Sequence, residues 1–191
     1  MFLGQSEIQD REQKSKNKRI LSAKDIALAG LMVAVIEVCK MALAFLPNIE
    51  TTTFWLILFT LFFGWKIVFV VPVFILIEMS MYGMQLWVIM YMYIWPLLVL
   101  VTWFFRRKDS VWFWSIFSSL FGLMFGMLCA IPYVVIGTAG GTILNGLYAG
   151  FTWWVAGIPW DIVHGVGNFV IMLVLYKPIR SAMKKIKTAI Y

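Results

Sequence analysis

Charge is what this chain has least of: 13% of its 191 residues are Asp, Glu, Lys or Arg, and there is one histidine. Motifs that carry chemistry are missing as well. No GxxxxGK[ST] loop is present to cradle nucleotide phosphates, so the chain is not expected to hydrolyse nucleotide itself. HExxH is absent, and one histidine without neighbouring cysteines makes a poor metal site. No GxSxG supports a rhomboid-like serine protease, and Asp161 with His164 lack the positioned Ser or Cys of a nucleophile relay. Cys39 and Cys129 stand singly in apolar segments and read as small packing residues. The charge ladder of an ion pathway is missing, as is any basic, aromatic-interleaved module for nucleic acid. These absences argue against an enzyme, a bound metal or other cofactor, and a nucleic-acid partner.

What is present is apolar surface. Hydrophobic residues make up 62% of the chain, with ten Trp and sixteen Phe, more than a soluble domain of this length could hide. Apolar runs approaching the length of a membrane span recur from end to end. The pattern predicts an all-α polytopic membrane protein. The N-terminal "MFLGQSEIQDREQKSKNKR" is polar and charged and does not read as a cleavable signal peptide.

Helices are predicted over 23–46, 51–64, 67–83, 86–105, 110–137 and 151–176. Residues 51–83 contain no polar loop, only "GWK" at 64–66. As one straight helix they would reach about 50 Å, far beyond a hydrocarbon core of about 30 Å, so two helices turning at Gly64–Lys66 fit better. Charge argues the same way. Arg11, Lys14, Lys16, Lys18, Arg19 and Lys24 precede the first helix, and Lys66 lies at the turn. Arg106, Arg107 and Lys108 follow the fourth helix; Lys177, Arg180, Lys184, Lys185 and Lys187 follow the sixth. Six spans bring all of these to one side and leave only Lys40 elsewhere; five would carry the "RRK" cluster across and break the positive-inside rule. The expected organisation is a basic cytoplasmic segment at 1–22, a six-helix transmembrane domain at 23–180 and a basic cytoplasmic tail at 181–191, in the cell membrane. The net charge of +7 then marks topology and contact with anionic lipid.

This topology gathers the costly polar groups at the outer side. Glu37 and Lys40 fall in the outer half of the first helix, close enough to pair, and Asn48 and Glu50 in the first outer loop. Glu78, Tyr82 and Gln85 would share a face if their helix continued past Gly83. Asn145 belongs to an outer Gly-rich loop, "GTAGGTILNGLYAG". The last apolar segment opens "GIPWDIVHGVGNF", which sets Asp161, His164 and Asn168 within about 60° of one helix face. Ionisable groups at membrane depth each cost roughly 2.5–3.5 kcal/mol, so they normally face a cavity or a partner. Each taken alone reads equally as structure: an ion pair at Glu37 and Lys40, a helix cap at Asp161, an interhelical clamp at Asn168. Together they point to a binding pocket open to the outside. Trp55, Trp87, Trp95, Trp153, Trp154 and Trp160 lie near the same level, most as belt residues and a few as stacking partners for a flat ligand.

Ala23, Ala27, Gly30 and Ala34 form a small-residue stripe on the first helix, of the kind that lets another helix approach closely in lipid or packs within its own bundle.

Three stretches carry a family resemblance: "KDIALAGLMVAV" in the first helix, the loop "FLPNIETTT", and the ending "WVAGIPWDIVHGVGNFVIMLVLYKPI". Over about residues 23–180 the chain resembles the S components of energy-coupling factor (ECF) vitamin transporters. The first helix departs from that family's AxxxA contact motif, with "AKDIA" followed by "GLMVA". The resemblance implies a substrate-binding subunit that captures a vitamin or related micronutrient from outside. A transmembrane T component and two cytosolic ATPases would be its partners. Cobalamin is the first expectation, a pyridoxine-like compound or queuosine precursor the alternative. A membrane scaffold subunit and an intramembrane enzyme are the rival classes.

Overall fold

The computed structural model describes residues 22–190, all of them helix or short connection, with no strand among them. Apart from Ser22, the predicted segment 1–22 lies outside the described residues.

Helix α1 (Ala23–Ala42) starts at a capping box: the Ser22 hydroxyl accepts from Asp25 N at 3.2 Å, and Ser22 N donates to the Asp25 carboxylate at 2.9 Å. It stops four residues short of the expected 46, and residues 43–50 turn the chain back. Helix α2 (Thr52–Phe63) ends at Gly64, whose φ of 77° only glycine adopts readily. A 3-10 turn (Gly64–Phe69) leads into α3 (Val70–Tyr82), which ends at a second positive-φ glycine, Gly83. Helix α4 (Leu86–Phe104) is followed by α5 (Val111–Cys129) and, after Ala130, by α6 (Ile131–Ala139) with Pro132 in its first turn. Helix α7 (Ile143–Ile190) closes the chain.

Two predicted boundaries are corrected here. The outer loop expected over 138–150 shrinks to a tight turn at residues 140–142, and α7 begins at Ile143 rather than 151. The reason is a glycine seam: a Cβ on Gly146 would lie 2.8 Å from Thr138 N, so only glycine lets α6 and α7 approach this closely. At its other end α7 continues to Ile190, past the expected helix end at 176.

Cross-links between helices fix their directions. Asp25 pairs with Lys66 at 3.2 Å and Lys40 pairs with Glu78, so α1 and α3 run parallel. Glu50 faces His164, and Lys187 donates to the Phe62 carbonyl at 2.7 Å, so α2 runs parallel to α7. Helix α5 meets α7 at Gly126–Asp161, Ser118–Asn168 and, just before its start, Asp109–Arg180, which makes that pair antiparallel. The bundle therefore has a basic end, with Lys66, Arg106–Lys108, Arg180 and Lys187, and an acidic end, with Glu37, Glu50, Glu78 and Asp161.

Among the described residues, four helical runs are long and apolar enough to cross a membrane: Thr52–Tyr82, Leu86–Phe104, Val111–Ala139 and Ile143–Thr188. Large apolar side chains such as Phe104, Leu120, Leu144 and Val174 stand exposed on the outside, as lipid-facing positions do. Inside, Phe54, Phe74, Trp95 and Trp114 fill the core between α2, α3, α4 and α5.

Candidate ligand cavity at the acidic end

On α5, "GLMFG" at 122–126 puts two glycines on the face turned to α7. A Cβ on Gly122 would lie 2.9 Å from Asn168 Nδ2 and from the Gly165 backbone; one on Gly126 would intrude on the Asp161 carboxylate. The glycines thus let the polar side chains of α7 reach the α5 backbone. Asp161 Oδ1 accepts from Gly126 N at 2.9 Å. Asn168 Nδ2 donates to the Ser118 carbonyl at 3.2 Å, and the Ser118 hydroxyl donates back to the Asn168 carbonyl, also at 3.2 Å. His164 lies between them, with Phe125 edge-on to its ring at 4.9 Å and Glu50 Oε1 3.5 Å from its Nε2. That gap suits an ion pair and is too loose for a hydrogen bond.

Beside this row opens a cavity of about 410 Å³, lined by Asn48, Phe125, Trp153, Trp160, Asp161 and His164 among others. Asn48 brings a left-handed backbone (φ 55°) to its rim, a conformation Asn tolerates better than most residues. Asp161 and His164 are 7% and 6% exposed, and Asp161 Oδ2 and His164 Nε2 have no hydrogen-bond partner. Buried acceptors and donors left open in this way cost free energy unless a ligand or water meets them.

A second polar group lies across the acidic end. Glu78 from α3, 3% exposed, takes the ammonium of Lys40 from α1, with Glu37 beside it. The predicted pairing of Glu37 with Lys40 is corrected: Lys40 reaches across to α3, and both Glu37 oxygens are without a hydrogen bond. The Lys40 ammonium also sits over the rings of Phe74 and Tyr82, each at 5.7 Å, and Tyr91 at 5.8 Å, contacts that stabilise a partly desolvated cation.

The remaining candidates divide. Asn48 and Trp160 line the cavity. Tyr82 is half-exposed and forms one wall for Lys40. Trp87 packs edge-on against Tyr91 at 5.1 Å, away from the cavity wall. Gln85 is exposed at the start of α4: because α3 stops at Gly83, it shares no face with Glu78. Asn145 is exposed at the start of α7, bonded to Thr142, and stands apart from the cavity. Asn168 is 2% exposed and acts as a clamp between α5 and α7.

Sequence reasoning missed Phe125, Gly126 and Cys129 as wall residues, while Trp153 is one of the tryptophans considered for stacking. The GxxxG spacing at 122–126 was the available signal, since it marks where another helix comes close. A slightly larger groove of about 450 Å³ lies at the basic end, near Gly30, Phe62, Phe69 and Val73. Its charged groups are already occupied, Lys66 with Asp25 and Lys187 with the Phe62 carbonyl. The α1 stripe Ala23, Ala27, Gly30 and Ala34 is exposed along its length, and a Cβ on Gly30 would meet nothing within 4 Å.

Comparison of the chain with family models, curated proteins and solved structures gave no match.

Proposed function

We propose that this protein is the substrate-binding subunit of an energy-coupling factor importer: six crossings, both termini and the basic end in the cytoplasm, and the acidic-end cavity open to the outside. It would capture a micronutrient there and deliver it with a T component and two cytosolic ATPases. One observation carries the reading. In a bundle whose exterior is apolar, the unpartnered polar atoms of Asp161 and His164 on α7 belong to the wall of a cavity that Asn48 and aromatic rings also line, at the end opposite the basic residues. Such an arrangement suits capture of a small molecule. The family resemblance of "GIPWDIVHGVGNF" adds to it, since this stretch supplies the cavity's Trp160, Asp161 and His164. The exposed α1 stripe is the surface we assign to the T component.

The cavity volume favours the smaller substrates. About 410 Å³ suits a single heterocycle of pyridoxine or queuosine-precursor size, whereas a corrinoid is several times bulkier. The test is copurification from a native membrane together with a vitamin-binding screen. Recovery of a T component with two ATPases, and saturable binding of a small heterocycle, is the expected result. Purification as a lone subunit that turns over a lipid or peptide would end the reading.

A further inference from the structure

The acidic end carries an imbalance of charge. Four carboxyl groups, Glu37, Glu50, Glu78 and Asp161, share it with two bases, Lys40 and His164. Lys40 is committed to Glu78 and to its three aromatic neighbours. His164 directs Nε2 toward Glu50. Asp161 and Glu50 thus have one base, His164, between them. Asp161 Oδ1 is held by Gly126 N, and its Oδ2 has no partner although the residue is more than nine-tenths buried on the cavity wall. A buried carboxylate without a counter-charge is costly, and a ligand that supplies the charge recovers that cost. The neighbouring wall is aromatic: Phe125, Trp153 and Trp160 line the same cavity, and aromatic faces favour a flat, cationic guest.

We infer that the cavity selects a flat heteroaromatic compound bearing a protonated aminomethyl group, which donates to Asp161 Oδ2 while its ring lies against the tryptophans. The inference rests on the reading of this cavity as a capture site. Neutral compounds of the same shape would fill the volume and leave the carboxylate unpaired.

The experiment uses the purified full-length protein and two pairs of probes matched in shape and differing in charge near neutral pH. These are pyridoxamine against pyridoxine, and 7-aminomethyl-7-deazaguanine against 7-cyano-7-deazaguanine, followed by titration calorimetry. The cationic member of at least one pair is expected to bind at least about tenfold more tightly, the scale on which a buried charge pair is felt. Asp161→Asn should reduce that advantage to within about threefold, or less than half a decade, by weakening the cationic member more than the neutral one. Trp160→Ala, at a half-exposed position, should weaken both members together. Equal or tighter binding of the neutral members by the unaltered protein overturns the inference and leaves the capture reading standing. A uniform loss for both members in a folded Asp161→Asn variant also overturns it, making Asp161 a brace between α5 and α7. Should that variant not fold, the comparison within each pair on the unaltered protein decides alone. Binding of none of the four overturns the substrate class, while copurification with the ATPases independently judges the transport reading.

Discussion

Asp161, His164 and Asn168 share one face of α7 yet meet three different kinds of partner: a backbone N–H, a carboxylate across a 3.5 Å gap, and a reciprocal pair of hydrogen bonds. Their substitutions should therefore separate. If the cavity captures substrate, His164→Ala removes a buried donor from its wall and should weaken binding by roughly 1–3 kcal/mol, about five- to more than hundredfold. Calorimetry on the folded variant checks this, and unaltered affinity at a lowered melting temperature would make His164 a brace. Asn168→Ala should behave in the opposite way. It breaks the α5–α7 clamp, leaving the Ser118 carbonyl without its donor, so melting temperature should fall while affinity holds. A binding loss in Asn168→Ala without any thermal shift would return Asn168 to the cavity.

At the scale of elements, two glycine-bearing faces of similar appearance have different roles. On α5 the glycines are filled from outside by α7, so Gly126→Ala must push the Asp161 carboxylate away and should destabilise the fold by about 1–3 kcal/mol. On α1 the stripe is open, and Gly30→Leu adds a side chain where nothing lies within 4 Å. If α1 docks on a T component as proposed, thermal stability and substrate capture by the isolated subunit should be unchanged, while assembly weakens through loss of close helix approach. Unimpaired copurification of Gly30→Leu with its partners would remove α1 from the interface.

For the whole molecule, lengths and charges decide orientation. From Arg180 at the basic end to His164 at the acidic end is about 24 Å of helix at 1.5 Å per residue. If the basic residues lie at the cytoplasmic surface, as proposed, that distance puts the Glu50–His164 level just inside the outer boundary of a hydrocarbon core of about 30 Å. The α6–α7 hairpin reaches further outward, and its Val135, Ile143, Leu144 and Tyr148 are exposed, so tilting into lipid is the way to keep them from water. The expected topology is cytoplasmic at residues 106–109 and external at the 140–142 turn. Single cysteines at positions 108 and 141, in a background without Cys39 and Cys129, test this with an impermeant thiol reagent applied to intact cells. Position 141 should label and position 108 should not; labelling at 108 would invert the assignment.

Composition and periodicity alone were enough for an all-helical membrane class, because an exterior facing lipid must be apolar all round. The break at Gly64 was legible for a similar reason: thirty-three residues without a polar loop exceed a bilayer as one helix, and glycine is where the chain can turn. The grouping of Asp161, His164 and Asn168 on one face followed from helix geometry. Their partners did not. Which carboxylate Lys40 would choose depended on how α1 and α3 lie beside each other, and a local spacing rule pointed to Glu37 when the neighbour across the interface was Glu78. Asn145 looked like a pocket residue only while residues 138–150 were read as a loop; packing of Gly146 against α6 lengthens α7 and takes Asn145 away from the cavity. The cavity itself, with Phe125 and Trp153 in its wall, arises where α5, α7 and the segment 43–51 meet. It is a property of helix approach distance, which glycines permit but only the packed bundle determines.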